Sequence, residues 1–339
     1  MGHTGRDAMI LAGDIGGTKT ILALFEANDD ELKEVHSETY ASQSYASFEA
    51  ILETFLAASP EPTLRAACFG IAGPVLDGKA TATNLPWTIE SDALIHMLKT
   101  PRVILLNDLE AAAYGMLFLP PESFALLNPG AGIPRRGNIA VIAPGTGLGE
   151  AILYWDGTRF HTMATEGGHT SFAPSTELEV ELLRDFRRQF GRHVSYERVL
   201  SGPGLASIYA FLRRHEGVAE PDWLKAELLH QDPSPIIAHH GMAGSEPVCI
   251  AALDLFVSIF GAEAGNLALK CMAVGGVYLG GGIAPKILSA LQTGRFMERF
   301  TDKGRFASLL STIEVKVTLN PRAPLLGAAH FAVRESCDL

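Results

Sequence analysis

Basic residues are in short supply. The 339-residue chain has 27 Lys and Arg against 38 Asp and Glu, a net charge of −11, so it lacks the positive excess that tracking a nucleic-acid backbone demands. ATP stays open to it, because turn amides can hold phosphates locally. Cysteine is sparse too. Cys68, Cys249, Cys271 and Cys337 are widely spaced and form no CxxC pair, which argues against a structural zinc site and for free thiols in a reducing compartment. The longest apolar region, 248–279, is broken by Asp254, Glu263 and Lys270, so no membrane span is expected. Residues 1–8 do not read as a secretory leader, because the apolar run behind them stops at Asp14. A cytoplasmic location is the expectation. The phosphate-loop pattern that ends in Gly-Lys-Ser/Thr is also missing.

Glycine and threonine, by contrast, are concentrated. Asp14-Ile15-Gly16-Gly17-Thr18-Lys19-Thr20 lies between the apolar runs 9–13 and 21–25. That reads as strand, tight turn, strand. Backbone amides and small hydroxyls in such a turn suit phosphate oxygens, and Asp14 is placed to meet Mg²⁺ or its water shell. An ordinary hairpin is the plainer alternative. The pattern recurs at 139–155, where Pro144-Gly145-Thr146-Gly147-Leu148-Gly149 joins two apolar runs. Two such turns suggest a duplicated architecture with a nucleotide held by both halves. A dinucleotide fingerprint fits poorly there, since the third glycine is misplaced and a strand follows where a helix should.

Strand-like segments at 35–40, 65–71 and 103–106 alternate with helical ones at 47–58, 89–98 and 109–117, so the chain is read as α/β. At this length two domains are expected. The Pro/Gly-rich stretch 119–137 marks the crossing, and a final helix over 324–333 returns to the first domain. In the second half, helices are expected at 177–190, 204–214 and 248–271, a strand at 276–279 and an exposed loop at 231–247. His230, His239 and His240 are read as solvated there.

Three groups of residues could do chemistry. Asn107-Asp108 follows a buried strand directly, the usual ligand-binding edge of an open α/β sheet; the pair is either a proton acceptor with its orienting amide or a helix N-cap. Glu166-Gly167-Gly168-His169 sets an acid and an imidazole around two glycines, which suits adjacent sugar hydroxyls or else makes a polar turn. Glu197, before Arg198-Val199-Leu200-Ser201-Gly202-Pro203-Gly204, is a third polar contact or a surface acid. Gly280-Gly281-Gly282 would let adenine or ribose lie against bare backbone.

Taken in order, and with Thr83-Asn84-Leu85-Pro86-Trp87, these motifs resemble the bacterial glucokinases, ATP-dependent members of the actin-like hexokinase superfamily, over residues 10–333. The resemblance implies a two-domain actin-like (ribonuclease H-like) fold with an interdomain cleft, one domain from 1–118 plus 321–339 and the other from 119–320. It implies Asn84, Asn107, Asp108, Glu166, His169 and Glu197 as sugar contacts, with Asp108 the catalytic base. Gly16, Gly17, Thr18, Lys19, Thr146 and Gly147 would hold the phosphates, and Gly280, Gly281 and Gly282 the adenosine. ATP, glucose and Mg²⁺ at Asp14 are the implied ligands, in a homodimer without nucleic acid or membrane. The cysteine-rich zinc motif of the related ROK group is missing after His169. The competing functions are a kinase for another hexose, such as mannose or fructose, and a non-catalytic glucose-responsive regulator; an NAD-linked oxidoreductase is remote.

Overall fold

The computed structural model describes residues 9–28, 31–58, 63–100, 102–132 and 135–337; residues 1–8, to which the sequence assigns no role, lie outside these. The chain divides into two compact units, one built from the residues up to Pro121 together with those from Asn320 onward, the other from Glu122–Leu319.

The first unit runs β1 (Met9–Ile15), β2 (Lys19–Asn28), β3 (Glu31–Ala41), α1 (Phe48–Ala58), β4 (Leu64–Ile71), the short strands β5 (Val75–Leu76), β6 (Lys79–Thr81) and β7 (Thr88–Glu90), α2 (Ser91–Leu98), β8 (Val103–Asn107) and α3 (Asp108–Met116). The second contains β9 (Phe124–Asn128), β10 (Ile139–Pro144), β11 (Leu148–Trp155), β12 (Phe160–Ala164), α4 (Glu177–Phe190), α5 (Gly202–Glu216), α6 (Asp222–His230), α7 (Pro233–Ala243), α8 (Pro247–Cys271), β13 (Gly276–Leu279), α9 (Leu288–Leu291), α10 (Arg295–Thr301), α11 (Ala307–Ser311) and β14 (Val315–Thr318). The last helix, α12 (Ala323–Cys337), belongs to the first unit.

Each unit has a sheet on the same plan. The order β3-β2-β1-β4-β8 is matched by β12-β11-β10-β13-β14, with β9 added at the edge. In both, a three-stranded antiparallel meander continues into two parallel strands. Strands covered on both faces need near-continuous apolar runs, and β1 and β4 supply them: Ile10, Leu11, Ala12, Ala66, Ala67, Cys68 and Phe69 are fully buried.

Helix α12 covers β1 and β4 and crosses α3. The crossing is backbone against backbone. A Cβ on Gly327 would lie 1.7 Å from the Ala111 carbonyl oxygen, and one on Gly115 2.0 Å from that of Ala323. Only glycine allows helices this close.

Three sequence expectations need correction. Residues 231–247 are not an exposed loop but contain α7. Its prolines fall in the first turn, where a missing N–H costs nothing. Asp232 caps the start, Gly244 ends the helix in the left-handed conformation, and Ile236, Ile237 and Ala238 are buried. His240 is accordingly not solvated: its side chain is 14% exposed, with Nε2 2.9 Å from Glu227 and Nδ1 2.8 Å from Ser245. Ile89 and Glu90 end strand β7, so α2 begins at Ser91. Lastly, α8 is long and apolar enough to cross a membrane, although no such stretch was expected; 83% of its most apolar window is buried, and it packs against α5, α7 and α10 as core. An all-round apolar helix is what such a position requires.

His330 on α12 stacks on Phe118, ring centroids 3.7 Å apart and 6° from parallel. Burial pulls its pKa from 6.5 down to about 4. Between those values the unfolded chain binds the proton and the folded chain does not, so stability is full above pH 6.5 and is lost as pH falls toward 4. We predict that His330→Phe, which keeps the stack, flattens the decline in melting temperature over pH 6.5 to 4. A variant that melts with the parent's slope would assign that decline elsewhere.

Candidate functional site

In the first unit the parallel strands end level, with Asp14 opposite Gly70 and Ile71 opposite Asn107. Asp14 and the Asn107-Asp108 pair therefore share the carboxyl edge of one sheet, the edge where open α/β sheets bind ligands. The turn after β1 is fixed from within. The Gly16 N–H donates to the Lys19 carbonyl (3.0 Å), and the Ser42 hydroxyl donates to the Gly16 carbonyl (2.8 Å). Asn84 covers Gly17, where a Cβ would lie 2.8 Å from its own. Thr18 and Lys19 are exposed.

Asn107 caps α3: its side-chain oxygen accepts from Leu109 N–H at 3.0 Å, and the Glu110 carboxylate accepts in return from Asn107 N–H at 3.3 Å. Its amide nitrogen donates to the Gly73 carbonyl (3.0 Å). Asp108 follows in the first turn, accepting from Leu109 N–H at 2.9 Å. The sequence offered cap and ligand contact as alternatives for this pair; the structure shows the cap, which orients both side chains at the strand end. Burial, then the nearby Asp108 charge, push the Asp14 carboxyl from 3.8 up to about 6, with Lys19 opposing.

In the second unit the turn between β10 and β11 is closed by the Gly145 N–H donating to the Gly147 carbonyl (2.8 Å). The Gly202 N–H, at the start of α5, donates to the Gly145 carbonyl (2.9 Å). Gly281, at φ +76°, lies so close that a Cβ would meet the Pro144 carbonyl oxygen at 2.4 Å. Gly280–Gly282 and Thr146–Gly147 are thus brought side by side, with Thr146, Gly281 and Gly282 exposed.

Glu166, His169 and Glu197 also come together. The His169 ring lies between two carboxylates, 3.8 Å from Glu166 and 4.0 Å from Glu197. The segments that carry them are tied by Tyr196 N–H donating to Thr170 and Phe172 N–H donating to Val194. Glu197 has a second contact that the sequence did not suggest: its other oxygen accepts from the Leu148 N–H at 3.1 Å, so it joins this cluster to the Gly145–Gly147 turn.

Sequence reasoning missed Glu150, a 2%-exposed acid on β11 beneath the Gly167–His169 turn. The signal was its alternation with Leu148 and Ile152, which puts it on their side of the strand.

Among the described residues no cluster of three His, Cys, Asp or Glu could hold a metal ion. Mg²⁺ does not need one, since it keeps waters and takes one or two carboxylates plus substrate phosphates. Asp14 fits that pattern, a desolvated carboxyl beside a second carboxyl.

A family model described as Glucokinase matches residues 11–335. A curated glucokinase from Nostoc sp. is 39% identical over 341 residues, covering 96% of this chain and 99% of its own length. A solved glucokinase from an Antarctic psychrotroph is 32% identical at a TM-score of 0.85, covering 97% of this chain and 100% of its own. A ROK-family glucokinase from Streptomyces griseus, solved with glucose and AMPPNP, is 22% identical at a TM-score of 0.62, covering 96% and 100%; at that identity it supports the fold alone. With the actin-like kinase plan in both sheets and a family match along nearly the whole chain, this protein belongs to the glucokinase family.

Proposed function

We infer that this chain transfers the γ-phosphoryl group of ATP to the 6-hydroxyl of glucose, giving glucose 6-phosphate and ADP. The observation that carries this is the family match over residues 11–335. It favours neither a kinase for another hexose nor a non-catalytic regulator.

Phosphoryl transfer is mostly positioning and charge neutralisation. In our reading Asp108 takes the proton from the 6-hydroxyl as the new O–P bond forms and the bond to the departing ADP oxygen breaks. The Asn107 cap and the α3–α12 crossing hold Asp108 at the sheet edge. Asn84, Asn107, Glu166, His169 and Glu197 hold the sugar. Gly16–Lys19 and Thr146–Gly147 hold phosphates, and Gly280–Gly282 the adenosine. Asp14 would hold Mg²⁺, which supplies charge neutralisation when bound. A homodimeric state and a cytoplasmic location belong to the same proposal.

Losing a general base typically lowers the rate by about 10²–10⁴. Asp108→Asn keeps shape and hydrogen bonding, so kcat should fall within that range while glucose affinity changes far less. A near-parental kcat would remove Asp108 from the base role. Alanine at Glu166, His169 or Glu197 should weaken glucose binding by about 1–3 kcal/mol each with nucleotide binding little changed. Unaltered affinity in calorimetry for all three would dismiss the sugar assignment. Asp14→Ala should raise the Mg²⁺ concentration needed for half-maximal turnover; an unchanged Mg²⁺ titration would rule out the metal role.

A further inference from the structure

We propose that Glu150 is a positioning residue for the sugar site: its uncharged carboxyl seats the Gly167–His169 turn, and a charge gained there loosens the turn and weakens sugar binding. The inference rests on the reading of Glu166 and His169 as sugar contacts.

Glu150 sits on β11 opposite Ile142, with its side chain directed into the unit. The turn lies on top of it. A Cβ on Gly167 would fall 2.1 Å from one carboxyl oxygen of Glu150, and one on Gly168 2.0 Å from the Leu148 carbonyl oxygen. The backbone is joined to the same strand by a short relay: the Gly167 N–H donates to the Thr165 hydroxyl (3.1 Å), which donates to the Glu150 carbonyl (2.7 Å). The turn that carries Glu166 and His169 therefore rests on the Glu150 carboxyl with no side chain between.

The other carboxyl oxygen, Oε1, is buried without a hydrogen-bond partner. A charged oxygen in that position is costly, because nothing replaces the water it gave up. The groups facing it come from α8 and the segments packed on it. From α8 comes Glu263, fully buried and already served by Lys270 (3.0 Å) and Asn266 (2.7 Å), with the Tyr196 hydroxyl as a further partner. Lys270 pulls the Glu150 carboxyl down, but less than burial and Glu263 push it up, leaving it at about 7. Cys271 is a thiol held neutral by burial, and Lys303 faces Glu263. On the turn itself, Glu166 and His169 point outward and are exposed. Glu263 holds the ion pair and the donors, so burial and that neighbouring acid favour the protonated form of Glu150.

An ionised Glu150 regains water most directly by displacing the glycine turn above it. Sugar bound to Glu166 and His169 holds that turn down, so sugar and the Glu150 charge oppose each other. Rising pH should weaken sugar binding through this group.

The test is the glucose KM and kcat of the intact enzyme from pH 6 to 8.5, for the parent and Glu150→Gln. In the parent, KM should rise by about tenfold, the effect of a one-unit pKa difference between free and sugar-bound enzyme. In Glu150→Gln it should stay at the parent's low-pH value, while kcat follows the same pH course in both. Any pH effect common to both enzymes cancels. A Glu150→Gln enzyme with the parent's KM profile would overturn the inference. Should that variant not fold, Glu263→Gln must shift the KM transition to lower pH, and an unshifted transition overturns it equally. Alanine at Glu166 and His169 separates the two levels. If both leave the glucose KM unchanged, the sugar-site reading fails and this inference with it. If they raise it while Glu150→Gln keeps the parent's profile, this inference alone fails.

Discussion

Backbone packed directly on backbone is the constraint on which the functional geometry depends. In the first unit α3 meets α12 backbone to backbone at Gly115 and Gly327, with Tyr114 set against Phe331 beside that contact. On its other side, α3 meets β4 at Gly70, where a Cβ would lie 2.9 Å from that of Ala111. The helix that begins with Asp108 is thus clamped between a sheet and a second helix at the closest separations a polypeptide allows. Inserting a methyl into such a contact costs about 1–3 kcal/mol in displaced backbone, and the displacement would reach the first turn of α3. Asp108 is precise because positions some distance from it carry no side chain.

The second unit applies the same device to turns. The Gly167-Gly168 pair lies on β11, and Gly281 lies on the end of β10. What differs is the material beneath. At Gly70, Gly115 and Gly327 the nearest atoms are backbone and a methyl; under the Gly167 turn there is a carboxyl, with a second acid behind it. Glu197 extends this arrangement, since one carboxylate spans the Leu148 amide and the neighbourhood of His169.

Much of this was legible in the sequence. The paired strand–turn–strand units, the helix at 177–190 and the strands at 65–71 and 103–106 follow from apolar and periodic runs, and the structure has each within a residue or so. Residues 231–247 misled because prolines there were counted as breakers when their position within the first turn, behind Asp232, makes them helix starters. Strand β9 was hidden in the Pro/Gly-rich stretch 119–137, since an edge strand of five residues, largely half-buried, carries little apolar signal. Among the candidate site residues, Glu166 and His169 stood out through the two glycines between them, while Glu197 was open between a polar contact and a surface acid until the resemblance was added. Glu150 did not stand out. One acid in an apolar strand usually marks the solvent face; its alternation with Leu148 and Ile152 was the signal against that, and the pairing of β11 with β10 and the passage of α8 behind it show that this one points inward.

The balance of charge at the first sheet edge bears on how an acidic protein can take an anionic donor. Asp14 and Asp108 lie near enough for Asp108 to raise the pKa of Asp14, with only Lys19 opposing. A bare polyphosphate approaching that edge would meet two carboxyls and one ammonium, an unfavourable encounter in a partly desolvated place. The same approach with a divalent cation alongside reverses the sign, because the cation is attracted to both carboxyls and to the phosphates. The turn amides then add hydrogen bonds without adding charge. Within the proposed function, the acid pair selects the cation-complexed nucleotide over the free one. On that reading, the charge that Asp14 and Asp108 share would couple donor binding to the state of the base.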